Sequence, residues 1–301
     1  MSEPRTRPGL LGFRVSATRS AGLDWPTLDA MWATAGRAGV LAAGWMSDHL
    51  SDASRERGGV AFEPFTTLAA LAHRLPGGWL GVAVASATFR HPSLLAKEAT
   101  VLDNVTGGRF ILGLGAGWHE GEHDAFGIPL PPLPERFDRL ESQLRVLSAL
   151  FGTDASAGRG VTVDDPHFPL RGATNEPAPM RPGGPAIWLG GQRRRGIDLA
   201  VRHAEGWPMP GNRPGDVEHF TAKRDEIRRA LETAGRDPDD FSFAGQLDTG
   251  TTAESRREAL ATARRFLGAG ATHLILGVPA SAGPDGVAAM VREVAEALVG
   301  G

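Results

Sequence analysis

The sequence predicts an α/β fold, a (β/α)8 TIM barrel, from three observations. Apolar segments of strand length alternate with segments of helical period along the 301 residues, and such alternation indicates a parallel sheet with helical crossovers. Eight strand–helix units favour a closed barrel over an open sheet, and one barrel commonly needs a chain of about this length. Residues 152–185 break the alternation and predict an insertion segment. We therefore expect a single barrel domain over residues 1–301.

The first half of the chain shows four strands, each followed by a helix. The helix before the fourth strand ends at Gly107 and Gly108, which suit a left-handed helix stop. The helix after that strand places Phe137, Leu140 and Leu144 on one face. The predicted strands are residues 10–16, 41–47, 79–85 and 109–114, and the predicted helices are residues 25–38, 64–75, a segment ending at 106, and 134–151.

The second half resumes the alternation after the insertion. The predicted strands are residues 187–189, 206–209, 241–247 and 272–278, and the predicted helices are residues 196–203, 217–234, 253–268 and 287–298. The insertion is rich in Pro, Gly and Asp, and long segments without helical period usually cover active sites or move. We expect it to shape a substrate pocket together with the loop at residues 17–23.

Composition excludes several classes of function. The chain has no cysteine, so disulfides, thiolate nucleophiles and cysteine-ligated metals are excluded. A net charge of −3 gives no electrostatic reason to expect nucleic acid or an anionic membrane as a partner. No apolar run is long enough to span a membrane, and the N-terminus lacks an apolar signal-peptide core. We expect a cytoplasmic protein that acts on a small molecule.

Small residues follow the fourth predicted strand, in the sequence GLGAGW at residues 113–118. Gly115, Ala116 and Gly117, followed by Trp118, leave room for a ligand to approach the backbone. The glycine spacing does not fit the dinucleotide fingerprint, because the third glycine falls one place early. We predict a cofactor-facing strand end. The alternative is that the glycines serve packing inside the barrel.

The next five residues satisfy the zinc-protease pattern HExxH. His119 and His123 could share a metal only inside a helix, but Gly121 lies between them and Gly127 ends any helix soon after. We therefore predict a short charged loop or helical turn and no metal site.

Two further strand ends carry candidate ligand contacts. Asp48 and His49 end the second strand, where barrel enzymes place functional side chains, and His49 can exchange protons near neutral pH. The alternative is that the two residues form a structural hydrogen-bonding pair. Gly190, Gly191 and Gln192 lead from a strand into a helix N-terminus, a natural phosphate site. The alternative there is an ordinary tight turn.

Several of these segments together carry a resemblance that covers nearly the whole chain. In chain order they are Trp45-Met46-Ser47-Asp48-His49, Arg90-His91-Pro92, Thr106-Gly107-Gly108-Arg109, the 113–118 segment with Glu122, Arg136-Phe137, and Leu189-Gly190-Gly191. The chain resembles the luciferase-like monooxygenase superfamily and, within it, actinobacterial oxidoreductases that use the deazaflavin coenzyme F-420.

The resemblance implies hydride transfer between coenzyme F-420 and a small organic substrate. It implies His49 as the catalytic residue and a non-proline cis peptide at Ala83-Val84. Trp118 stands where some family dehydrogenases carry a glutamate, so oxidation of sugar phosphates is not expected. The implied cofactor contacts are Asp48, His49, Ala83, Val84, Ser86, Gly115, Ala116, Gly117, Trp118, Gly190, Gly191 and Gln192.

Alternatives remain at this stage. An FMN-dependent monooxygenase supplied by a separate flavin reductase shares the fold and phosphate site, and a non-catalytic flavin-binding protein is a remoter alternative. The resemblance is compatible with a homodimer. Further acid–base candidates near His49 are His119, Glu120, Glu122 and His123.

Overall fold

The computed structural model describes residues 10–16, 23–51 and 60–300, and within them parallel strands close a barrel. The barrel strands are β1 (Leu10–Val15), β2 (Ala43–Met46), β3 (Trp79–Ser86), β4 (Phe110–Gly115), β7 (Ala186–Leu189), β8 (Gly206–Pro208), β9 (Ser242–Asp248) and β10 (His273–Val278). Their order around the barrel is β1-β10-β9-β8-β7-β4-β3-β2, which confirms the predicted (β/α)8 fold. Two further strands, β5 (Val161–Val163) and β6 (Leu170–Ala173), pair outside the barrel.

Helices surround the barrel and begin near the predicted positions. Two of them, residues 25–38 and 253–268, have the predicted bounds. The helices are α1 (Trp25–Ala38), α2 (Pro64–Leu71), α3 (Pro92–Thr106), α4 (Glu120–Phe126), α5 (Leu133–Phe151), α6 (Thr153–Ser156), α7 (Arg194–His203), α8 (Val217–Thr233), α9 (Ala253–Gly268), α10 (Gly283–Met290) and α11 (Glu296–Val299). None of the helices in the described ranges is both long and apolar enough to cross a membrane.

Tryptophan side chains fill the middle of the barrel. The rings of Trp45 and Trp188 lie 5.2 Å apart, and both are fully buried. A Cβ on Gly12 would lie 2.5 Å from the Trp45 indole nitrogen, and Gly81 faces the same ring. Glycines on neighbouring strands therefore make room for Trp45, and the two indoles form a floor beneath the carboxyl ends of the strands.

The insertion has its own secondary structure, in contrast to the irregular segment that the sequence suggests. It forms the β5–β6 hairpin and is held on α3 and α5, where Asp165 accepts from Arg145 at 2.7 Å and Asn175 donates to Thr100 at 3.0 Å. At its tip, Phe168 packs on His91 at the start of α3. These contacts lie along the outer helices and do not support the expected role in shaping a substrate pocket. The other segment expected to do so, residues 17–22, lies outside the described residues.

Candidate functional site

The carboxyl ends of β2, β3, β4 and β7 bring the predicted site residues to one side of the barrel mouth. β2 pairs with β3, β3 with β4, and β4 with β7. Polar side chains after these strands therefore face one another across short distances, whatever their separation in sequence. We call this region the β2–β7 rim.

Asp48 supports the rim from below. Its Oδ2 accepts hydrogen bonds from the Ser86 backbone amide at 2.8 Å and from Arg90 at 2.7 Å, and its Oδ1 accepts from Arg90 at 3.0 Å. The carboxylate has no exposed surface. Burial raises the pKa of Asp48, although the Arg90 guanidinium opposes the shift. Because its oxygens accept from protein donors, Asp48 holds β3 and Arg90 in place. This geometry does not favour the direct contact between Asp48 and a cofactor ring that the resemblance implies.

His49 pairs with Glu122 and not with the adjacent Asp48. Its Nδ1 lies 2.9 Å from Glu122 Oε2, while Oε1 accepts from the amides of Leu50 at 2.7 Å and Ser51 at 3.0 Å. Burial alone would raise the pKa of Glu122, but the bonds from His49 and the two amides lower it below its ordinary value. An ionised carboxylate only accepts, so Nδ1 of His49 carries the hydrogen and Nε2 is left for exchange. The alternative of a structural pair between Asp48 and His49 is therefore wrong, because the partner of His49 is Glu122.

β3 bulges at its carboxyl end. The Ala83-Val84 peptide is cis, as the resemblance implies, and the pairing register with β4 shifts between Val82 and Ala85. A Cβ on Gly115 would lie 2.9 Å from a Val84 methyl, and one on Gly190 would lie 3.3 Å from it. Val84 thus supplies a packing reason for these two glycines, in addition to the predicted approach of a cofactor.

A chain of hydroxyl groups runs from the end of β3 to His123. Ser86 Oγ lies 2.7 Å from Thr88 Oγ1, and Thr88 Oγ1 lies 2.7 Å from His123 Nε2. His123 Nδ1 bonds the His119 carbonyl at 2.7 Å. Gly117 has a φ of 83°, and a Cβ there would lie 2.7 Å from Thr88 Oγ1. The β4–α4 loop is therefore seated directly on this chain.

The histidines of the HExxH segment form hydrogen bonds within the protein. The segment forms α4, a helix of two turns that is longer than the predicted turn, and His119 is its N-cap. Both ring nitrogens of His123 are engaged, and His119 Nδ1 accepts from the Glu122 amide at 3.0 Å. Across the ranges that the structure describes, no three His, Asp or Glu side chains converge to hold a metal.

The turn between β7 and α7 is held tightly and offers amide donors. Trp207 donates to the Gly191 carbonyl at 2.8 Å, and a Cβ on Gly191 would lie 2.7 Å from the Gly196 Cα. No side chain caps the N-terminus of α7. Gln192 lies in the same turn, so the predicted phosphate residues meet at an uncapped helix start.

An exposed tryptophan and a pocket lie next to His49. Trp118 is 61% exposed and meets the His49 ring edge-on at 6.1 Å. A small pocket lies between α1 and the carboxyl ends of β1 and β2, and His49 is on its wall. Its other lining residues are mainly apolar: Val15, Ser16, Leu23, Leu28, Trp32, Met46, Ser47, Val60, Ala61 and Phe62.

Sequence reasoning missed the charged cluster beneath Asp48. Arg90 donates to Glu63 at 2.6 Å and lies 3.5 Å from Glu98. Burial raises the pKa of Glu98 to about 7. The quoted Arg90-His91-Pro92 segment marked the position, but the charged partners come from other elements of the fold and leave no local pattern.

Comparisons with known proteins place the chain in a family. The sequence model of the luciferase-like monooxygenases matches residues 10–298, which is nearly the whole chain. The barrel and its rim are thus those of an oxidoreductase or monooxygenase scaffold. The chain belongs to the luciferase-like monooxygenase family.

The names of similar curated proteins and solved structures mention different cofactors. The phthiodiolone/phenolphthiodiolone dimycocerosates ketoreductase of Mycobacterium bovis is 32% identical over 72% of this chain and 59% of its own length, so the chain spans about three-fifths of that relative. The FMNH2-dependent dimethylsulfone monooxygenase of Pseudomonas putida is 30% identical over 58% of this chain and 42% of its own length. An F-420-dependent secondary alcohol dehydrogenase has a TM-score of 0.76 at 16% identity, covering 96% of this chain and 98% of that one. This last likeness concerns the fold.

Proposed function

We propose that this protein is an oxidoreductase that transfers a hydride between coenzyme F-420 and a small ketone or secondary alcohol. The names of the ketoreductase relative and of the alcohol dehydrogenase neighbour support this substrate class. When bound, the deazaflavin supplies the hydride acceptor or donor. The protein must then supply a binding surface, exclusion of water and a group that exchanges one proton with the substrate oxygen.

The observation that carries the proposal is the pairing of His49 with buried Glu122. The bond at 2.9 Å fixes Nδ1 as a donor and leaves Nε2 for proton exchange. Reduction of a ketone consumes one proton at oxygen, and oxidation of an alcohol releases one, so an imidazole in this state suits either direction. The orienting carboxylate and the exchanging imidazole form the base–orienter hydrogen bond expected of an acid–base site.

The residues at the rim fit an aromatic coenzyme with a phosphate-bearing tail. Ser86 and the segment from Gly115 to Trp118 would line the ring, and Gly190, Gly191 and Gln192 would hold the phosphate. Uncapped amides at the start of α7 suit an anion. Arg136 donates to the Gly117 carbonyl and retains a buried Nε without a partner among the described residues. That remaining donor lies beside the loop that would contact the coenzyme.

An FMN-dependent monooxygenase is the second candidate, favoured by the dimethylsulfone monooxygenase relative. It would need reduced flavin from a separate reductase. The two candidates share the rim residues and differ in the coenzyme that binds.

Binding titrations with F-420 and FMN decide between them, followed by oxidation of reduced F-420 in the presence of a ketone panel. We expect F-420 to bind in preference to FMN, and His49→Gln to lower kcat by about 10²–10⁴-fold. His73→Gln, at an exposed histidine, is the matched control and should behave as the wild type. Preferential FMN binding would move the assignment to the monooxygenase, and binding of neither would end both.

A further inference from the structure

Arg14 lies in the barrel mouth on the side opposite the β7–α7 turn. It is two residues beyond Gly12 on β1, so its side chain points to the same side of the strand as Gly12, which faces Trp45. Arg14 is therefore nearer the carboxyl end of β1 than Gly12, which faces the tryptophan floor. Along the strands it pairs with Gly277 on β10 and with Trp45 on β2. The residue is 6% exposed, and no proposed contact to the coenzyme involves it.

The guanidinium of Arg14 lacks a hydrogen-bonded partner among the described residues. Its nearest carboxylate oxygen, Oδ1 of Asp248, is 3.8 Å from Nη2, beyond hydrogen-bond distance. Its Nε is buried without a partner. Burial lowers the pKa of Arg14, and Asp248 opposes only part of that shift. A buried charge left in this state destabilises the free protein unless a ligand satisfies it.

An unpaired acceptor lies beside this unpaired donor. Gln246 on β9 is almost fully buried and donates through Nε2 to the Met209 carbonyl, while its Oε1 has no partner in the described part of the chain. Arg14 Nη1 and Gln246 Oε1 lie 3.2 Å and 3.7 Å from the point where a Cβ on Gly211 would be. Glycine at position 211 therefore keeps a side chain away from both atoms.

We propose that Arg14 binds a carboxylate of the substrate and that Gln246 Oε1 accepts a hydrogen bond from an adjacent hydroxyl. Arg14 carries one positive charge, which Asp248 at 3.8 Å already offsets in part, so the site suits a carboxylate better than a phosphate dianion. β1 and β2 are paired neighbours, so a ligand held at Arg14 lies at the same mouth as His49. The proposal rests on the proposed function, and it narrows the substrate to a hydroxy acid or an oxo acid.

The test compares charged and neutral probes of the same shape. Hexanoate and hexanamide, with acetate as a probe without a tail, are titrated by calorimetry into wild type, Arg14→Met and Arg159→Met. Arg159 is an exposed arginine paired with Asp154 and serves as the control. We expect hexanoate to bind about tenfold or more weakly to Arg14→Met than to wild type. Hexanamide should not discriminate between the variants, and Arg159→Met should match wild type.

Three results would overturn the proposal. The first is equal carboxylate affinity in wild type and Arg14→Met. The second is no binding of hexanoate or acetate to wild type. The third is a loss of F-420 or FMN affinity in Arg14→Met with carboxylate affinity retained, since the guanidinium would then serve a ring carbonyl of the coenzyme.

Two accompanying measurements keep the outcomes distinct. Coenzyme affinity of the wild type is measured without hexanoate or acetate present. Failure to bind either coenzyme would contradict the proposed function, whereas the carboxylate titrations would still test the Arg14 site. Thermal unfolding of ligand-free protein should give a higher Tm for Arg14→Met than for wild type, because the variant removes a buried charge that Asp248 offsets only in part. A lower Tm would show that the charge is satisfied within the protein and would contradict the site.

Discussion

Glu98 is the titrating member of the cluster around Arg90. Burial raises its pKa from 4.5 to about 7, so near pH 5 the folded protein holds a proton that the unfolded chain has largely lost. The folded state binds more protons between these values, and stability therefore falls as pH rises through 7. Glu98→Gln removes this loss. We compare the unfolding free energy of Glu98→Gln with that of wild type at each pH. We expect this difference to favour the variant by about 1–2 kcal/mol more at pH 8 than at pH 5.

Urea unfolding at the two pH values measures this difference. Glu258→Gln, at an exposed position on α9, is the control and should show no change in the gap between pH 5 and pH 8. If Glu98→Gln also shows none, Glu98 is ionised in the folded protein at both values, and Arg90 outweighs the burial.

The hydroxyl chain at the end of β3 has a defined direction. A carbonyl only accepts, so His123 Nδ1 donates to the His119 carbonyl, and the Thr88 hydroxyl can donate to His123 Nε2. The Thr88 oxygen then accepts from Ser86, and Ser86 presents lone pairs to the rim. Thr88→Val leaves both neighbours unpaired and should cost about 1–3 kcal/mol of unfolding free energy.

Chemical denaturation of Thr88→Val is compared with that of Thr34→Val. The Thr34 hydroxyl bonds the Ala30 carbonyl within α1, so its removal should cost about 0.5 kcal/mol or less. Equal losses in the two variants would mean that the chain from Ser86 to His123 has no special weight.

Where β3, β4 and β7 meet, the packing of Val84 against Gly115 can be separated from any cofactor contact. Gly115→Ala places a methyl 2.9 Å from Val84 and should destabilise by about 1–3 kcal/mol. Val84→Ala makes room, so the double variant should be more stable than the two single losses predict, with a coupling of about 0.5–2 kcal/mol.

Coenzyme affinity in the same double variant tests the second reason for the glycine. We expect stability to be regained and affinity for the coenzyme to stay reduced, because the added methyl remains at the strand end. Full recovery of both would indicate that Gly115 serves packing alone. Gly268→Ala, at an open position at the end of α9, should be neutral or stabilising and is the control.

The elements were predictable from local pattern, and the contacts between them were not. The glycines at 107 and 108 marked the end of α3, and the alternation of eight strand-length and helical segments predicted the barrel. The partner of His49 is 73 residues away, and the amide that Asp48 accepts from is 38 residues away. Such pairs are set by strand order around the barrel, which leaves no mark at either residue. The β5–β6 hairpin escaped prediction because its strands are short and partly exposed.

At the scale of the whole molecule, the two sides of the barrel mouth differ in how fully their polar side chains are paired. At the β2–β7 rim the charged side chains pair with one another, Asp48 with Arg90 and His49 with Glu122, while Nε of Arg136 has no partner in the described residues. On the β1–β9 side, Arg14 and Gln246 retain unpartnered atoms in the described residues. A rim whose groups are already paired is held rigid before a coenzyme binds, while unpaired groups gain contacts when a second ligand arrives. This division fits a bound coenzyme on one side and an exchanging substrate on the other.

An apolar stripe on the outer face of α3 predicts association of two copies of the chain. Leu94, Val101 and Val105 are each at least half exposed, and their spacing places them on one helix face. Val101→Glu combined with Val105→Glu puts charges into that face and should convert a dimer to monomer, measured by analytical ultracentrifugation. Leu267→Glu on α9 alters an exposed leucine elsewhere and should leave the assembly unchanged. A wild type that sediments as a monomer, or a double variant that remains dimeric, would remove α3 as the interface.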